Sequence, residues 1–155
     1  MIFHMKNIDD SKMLADNAKL EEGFGTERAE WNKNIGELLD NVRVNSMLSE
    51  TQAYGLSYRQ MLVERMTQLR IAMHKLSTMY DKSRIERTKQ YMTEGDYKLT
   101  AAERSEFVGV DLSAVKSRLN LYQDQIDWIG ETLQTLSSLQ FAIKNKIELI
   151  KEEIM

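Results

Sequence analysis

The chain has 155 residues with 24 acids, 21 bases and two His, a net charge of −3, which suits one domain, or one domain with an extended arm, and carries no overall polyanion-binding signature. Cys is absent, excluding disulfides, thiolate zinc sites and cysteine nucleophiles, and Pro, the strongest helix interrupter, is absent where average usage gives about eight. No apolar run approaches the roughly 18 residues of a membrane span, and the start MIFHMKNIDD lacks a basic flank followed by an apolar stretch, so a soluble intracellular protein without membrane contact is expected.

Cutting the chain at its composition shifts exposes a charge segregation. Residues 1–55 carry six bases and ten acids, residues 56–90 eight and three, and residues 91–155 seven and eleven. Residues 1–44 are expected to form an acidic helical arm, with helix-like stretches over Met5 to Leu20 and Arg28 to Met47 and a turn at Gly23-Phe24-Gly25. Residues 45–155 form the expected helical core. Within it a central basic helix is predicted over 56–92, because Leu62, Met66, Leu69, Met73, Leu76 and Tyr80 follow the four-three spacing of one helical seam. Beyond Tyr80 that seam meets Ser83 and Arg87, so the apolar stripe is expected to end while the helix projects a basic tip, breaking near Glu94-Gly95-Asp96.

A connector over 93–110 contains Thr100-Ala-Ala-Glu103, a capping box that predicts a short helix. The last third is the most regular. Leu112, Val115, Leu119, Tyr122, Ile126, Ile129, Leu133, Leu136, Gln140, Ile143, Ile147, Ile150 and Ile154 alternate steps of three and four, predicting a heptad helix over 111–154 with Asp111 as its cap. Such a helix is about 60 Å long and needs partner helices to cover its seam. Leu121, Trp128, Leu139 and Leu149 widen the apolar surface, which implies more than one neighbour. Gln140, the polar exception, either fixes register and oligomer order or lets its amide reach the edge. Gly130 interrupts a good helix former's position and points to a close helix crossing. The expected fold is all-α, elongated, with the C-terminal helix packed on the central one and oligomerising through Leu119, Tyr122, Ile126, Ile129, Leu133, Leu136, Gln140, Ile143, Ile147 and Ile150.

Catalytic chemistry finds no foothold in these patterns. His4 and His74 are far apart without flanking acids; Asp124, Asp127 and Glu131 fall on the side of the helix away from the seam, as a solvated face does; no P-loop, Rossmann glycine pattern or HExxH occurs. No enzyme activity, cofactor or metal is expected. The remaining signal is Lys82, Arg84, Arg87, Lys89 and Tyr91, with Arg59, Arg65 and Arg70 further up the helix. Cations contact phosphates without reading sequence, and an aromatic ring stacks on an unpaired base. Several copies would pool the charge of this segment.

The order of features resembles the UvsY-like phage recombination mediators. The stretch TKQYMTEGDY joins a basic helix to a Gly-containing break; a polar connector ends in Asp; the heptad helix finishes LQFAIKNKIELI, with Phe141-Ala142-Ile143-Lys144-Asn145 preceded by Leu121, Tyr122 and Gln123. The likeness covers residues 45 to 152. It implies a ring-forming homo-oligomer, a hexamer or similar, in the cytoplasm of an infected bacterial host, which binds single-stranded DNA, contacts the single-strand-binding protein and helps load a RecA-like recombinase. In that family, basic residues before the Tyr and Gly contribute to DNA binding, which here match Arg84, Arg87 and Lys89, with Tyr91 as a stacking residue. The first 44 residues have no counterpart in the family pattern. The competing reading is a structural helical oligomer, such as a virion or scaffold component, whose basic segment docks on an acidic segment of a neighbour.

Overall fold

The computed structural model describes residues 10–93 and 99–154. His4 and the expected break at Glu94-Gly95-Asp96 lie outside them. The described residues are all-α, without strands: α1 spans Asp10–Asn41, α2 Leu48–Thr93, α3 Ala101–Asp111 and α4 Ser113–Ile154, with one 3-10 turn at Asn45–Met47 between α1 and α2. They group into two compact units, one built from residues 10–22, 70–93 and 99–124, the other from 23–69 and 125–154.

In the second unit the helix directions follow from named contacts. Glu27 of α1 receives a two-pronged bond from Arg65 of α2 at 2.8 and 3.1 Å, and Trp31 meets Tyr58 edge-on at 5.4 Å, so α1 and α2 are antiparallel. Arg28 donates to Gln125 and Lys146 donates to the carbonyl of Val42, so α1 and α4 are parallel. The Lys146 bond has a clear cause: helix ends leave carbonyls without intrahelical partners, and the last turn of α1 holds no base of its own. The core between the three helices is apolar, with Phe24, Ile35, Leu38, Leu62, Leu69, Ile129, Leu136 and Ile143 buried.

Gly23-Phe24-Gly25 is not a turn. It lies inside α1, no described residue has a positive φ, and Phe24 is 3% exposed. A seam through Asn17, Leu20, Phe24, Trp31, Ile35 and Leu38 carries the helix past both glycines, because burying an aromatic side chain outweighs a propensity cost of about 1 kcal/mol per glycine.

The heptad row of α4 is covered in part inside the chain. Ile126, Ile129, Leu136 and Ile143 are buried, while Leu119, Tyr122, Leu133, Gln140, Ile147 and Ile150 are half-buried. A further row at seven-residue spacing, Arg118, Gln125, Thr132, Leu139 and Lys146, faces inward beside it. Three of its polar members reach α1 or its end: Arg118 donates to Asn17 at 2.8 Å in the first unit, and Gln125 and Lys146 make the contacts given above in the second, while Thr132 donates to the Trp128 carbonyl within α4. The expectation of more than one neighbour for this helix is met by α1 and α2 of the same chain.

Gln140 belongs to that arrangement. Its amide donates to the carbonyl of Gln52 at 3.2 Å, crossing α2 over Gly55, where a Cβ would overlap the Gln140 Nε2. The close crossing therefore sits at Gly55. Gly130 has nothing within 4 Å of the place a Cβ would take, so no neighbour demands its lack of a side chain.

In the first unit, α3 and α4 meet at a single buried residue, Leu112, whose N–H still reaches the carbonyl of Val108 at 3.1 Å. Thr100 caps α3 as expected: its hydroxyl accepts from the Glu103 N–H and donates to the Glu103 carboxylate, both at 3.1 Å. Asp111 does not act as the cap of α4. It is the last residue of α3, and its carboxylate is taken by Tyr91.

Candidate nucleic-acid interface

All five residues singled out on the basic segment lie on α2 in the first unit, but the helix sorts them to different sides. Lys82, Arg84 and Lys89 are exposed. Arg87 and Tyr91 are turned toward α3. The Arg87 guanidinium lies 3.8 Å from the Asp111 carboxylate with its side chain 18% exposed, and the Tyr91 hydroxyl donates to the same carboxylate at 2.6 Å. The Tyr91 ring stacks on Phe107 at 5.8 Å with 26° between the planes. Burial pushes the Tyr91 phenol above its ordinary value, the Asp111 carboxylate pushes it further, and Arg87 partly offsets the rise.

The reason is phase. The seam Met73, Leu76, Tyr80 continues through Ser83, Arg87 and Gln90 without a slip, and Ser83 is buried. The apolar stripe ends at Tyr80, but the packed face does not; it changes from apolar to polar. A packed guanidinium is then held by Asp111, and one of its nitrogens, Nε, is buried with no hydrogen-bond partner.

Four residues beyond these five complete the surface. Lys75 is exposed and joins Lys82 and Lys89 in a row at seven-residue spacing, a repeat visible in the sequence. These three lysines and Arg84 have no ion pair among the described residues. Phe107 offers the open aromatic face that Tyr91 lacks, 47% exposed, and no local pattern marked it. Arg104, from α3, lies with Arg84 and Tyr80 on a groove of about 370 Å³ between α2 and α3, lined also by Thr88, Ser105 and Gly109. Lys116 stands 5.9 Å from the centre of the Tyr80 ring, close enough for a cation–π contact. Higher on α2, Arg59 and Arg70 are exposed, whereas Arg65 is committed to Glu27.

Elsewhere the described residues hold no group of three or more His, Asp and Glu side chains able to share a metal ion, and none of their helices is long and apolar enough to cross a membrane. His74 is exposed on α2, and Asp124, Asp127 and Glu131 are exposed on α4. No family model, curated protein or solved structure matches the chain.

Proposed function

We propose that this chain is a non-enzymatic recombination mediator that binds single-stranded DNA and helps a RecA-like recombinase replace the single-strand-binding protein. The observation that carries the reading is the exposed cationic face of α2, where Lys75, Lys82, Arg84 and Lys89 stand without ion-pair partners among the described residues. From Lys75 to Lys89 that face runs about 21 Å along the helix. Contacts to phosphates fix a strand without covering its base edges, which leaves the bases open for a recombinase to pair. Phe107 replaces Tyr91 as the stacking ring, because it is exposed, whereas Tyr91 is half-buried with its hydroxyl on Asp111.

One copy carries a charge of −3, so the mediator acts as a homo-oligomer, a hexamer or similar ring, in which several α2 faces address one strand. Exposed Phe141 and Leu149 on α4 provide apolar surface for that assembly in place of the buried seam. A second reading, a structural oligomer without DNA affinity, draws support from the exposed acidic row Asp124, Asp127 and Glu131, which could meet the lysine row of a neighbour.

Fluorescence anisotropy with labelled oligo(dT) across a salt series separates the two. The Lys82→Ala, Arg84→Ala, Lys89→Ala triple variant is expected to bind at least tenfold more weakly at low salt, with a salt slope smaller by about 2, since each single-strand phosphate contact contributes about 0.7. Unchanged affinity in the triple variant would remove these residues from the interface, and no binding by the wild type would leave the structural reading.

A further inference from the structure

The groove between α2 and α3 differs from the open lysine row in being concave and in drawing its charge from two helices. Arg84 enters from α2 and Arg104 from α3, with Tyr80, Thr88 and Ser105 between them. The Arg104 guanidinium is tethered: one terminal nitrogen donates to the carbonyl of Leu99 at 2.8 Å, which leaves most of its five N–H donors for another acceptor. Arg84 has no ion pair among the described residues. The wall on the α3 side, Ala101, Arg104 and Ser105, is the start of an 11-residue helix, whose amide ends add positive potential. The nearest acid on that turn, Glu103, has its carboxylate engaged by the Thr100 hydroxyl and does not line the groove. Val108 closes the floor at 3% exposure.

Two guanidiniums, the Ser105 hydroxyl and a helix start lining one hollow match a phosphate group, which takes forked donors and several hydrogen bonds at once, while the Thr88 hydroxyl is already donated to the Arg84 carbonyl at 2.8 Å. The volume, about 370 Å³, falls in the range of small-molecule sites and exceeds what a bare phosphate fills. Tyr80, with Lys116 beside its ring, supplies a flat surface for the attached sugar or base.

We infer that the α2–α3 groove is a phosphate-binding subsite that seats one nucleotide unit, with Arg84 and Arg104 on the phosphate and Tyr80 against the nucleoside. This rests on the DNA-binding reading for its physiological ligand, but its chemistry is its own. The phosphate belongs either to the interior of a strand or to its 5′ end.

The test uses the full chain and the variants Arg104→Ala and Ser105→Glu. The second keeps the protein folded, because Ser105 is exposed and an acid near the start of a helix is favoured there, while it places a negative charge in the groove. Anisotropy is read with two labelled oligo(dT) probes, with and without a 5′ phosphate, and melting temperature is read with thymidine monophosphate and with inorganic phosphate. Both variants are expected to weaken strand binding at least fivefold and to abolish a rise in melting temperature that thymidine monophosphate gives the wild type. Loss on both probes assigns the groove to interior phosphates; loss confined to the phosphorylated probe assigns it to strand ends. If the wild type binds strands and the variants bind them equally, the groove assignment falls while the mediator reading stands. If the wild type ignores strands, the mediator reading falls, and the groove is decided by thymidine monophosphate alone: a stabilisation lost in Arg104→Ala keeps it, and no stabilisation overturns it.

Discussion

Arg87 and Tyr91 share one carboxylate, and that sharing sets what each can do. Asp111 accepts the Tyr91 hydroxyl at 2.6 Å and lies 3.8 Å from Arg87, so removing either partner alters the docking of α3 before it alters any surface. Tyr91→Phe is expected to cost about 1.5–3 kcal/mol at neutral pH, the range for a hydrogen bond to a charged acceptor. The alkaline limb gives a signed check. The Tyr91 phenol is raised in the folded chain, so above the unfolded tyrosine value near 10 the unfolded state releases a proton that the folded state still holds. The stabilising contribution is therefore complete below pH 10 and declines as pH climbs through the folded value. Urea denaturation between pH 9 and 11 should show a steeper fall for the wild type than for Tyr91→Phe; parallel falls would refute the linkage.

Glycine positions test the packing of whole helices. Gly23→Ala is expected to stabilise by about 0.5–1 kcal/mol, because α1 is continuous there and a Cβ meets nothing within 4 Å; a turn at that place would instead make the variant less stable. At Gly55 the same propensity gain is cancelled by displacement of the Gln140 amide from the Gln52 carbonyl. Gly55→Ala should therefore gain about 1 kcal/mol more in a Gln140→Ala background than alone, a coupling that a double-mutant cycle by urea denaturation measures directly. These positions also mark how far the sequence alone reveals the packing. The helical seams of α2 and α4 and the Thr100 cap follow from local spacing and chemistry, and they stand. Local spacing cannot say which partner covers a seam, so the part that α1 and α2 take in covering α4's heptad row was not legible. Nor does it separate a polar seam from a solvated face, which is why Arg87 looked free and why Asn17 and Arg28 hid the seam of α1. Arg104 and Phe107 stayed hidden because only folding brings α3 against α2.

Among the described residues the two units are unequally supplied with apolar core: Val108, Leu112, Ala114 and Val115 are the buried apolar side chains of the first, against eleven in the second. Local opening follows buried apolar contact, so backbone amides of α2 from 70 to 93 are expected to exchange hydrogen faster than those from 48 to 69, measured by mass spectrometry; equal protection along α2 would contradict this. Light scattering is expected to give more than one copy per particle, with Phe141→Ser lowering the mass. The pairing of α1 with α4 has a further effect. Its hydrogen bonds join positions 97 to 104 apart in sequence, so closing them requires an encounter across most of the polypeptide, a topology that slows folding. During synthesis the first helix leaves the ribosome long before its parallel companion exists. Until then Phe24 and Ile35 have only the second helix to shelter against, and the nascent chain presents a greasy flank on which chaperones or premature association act.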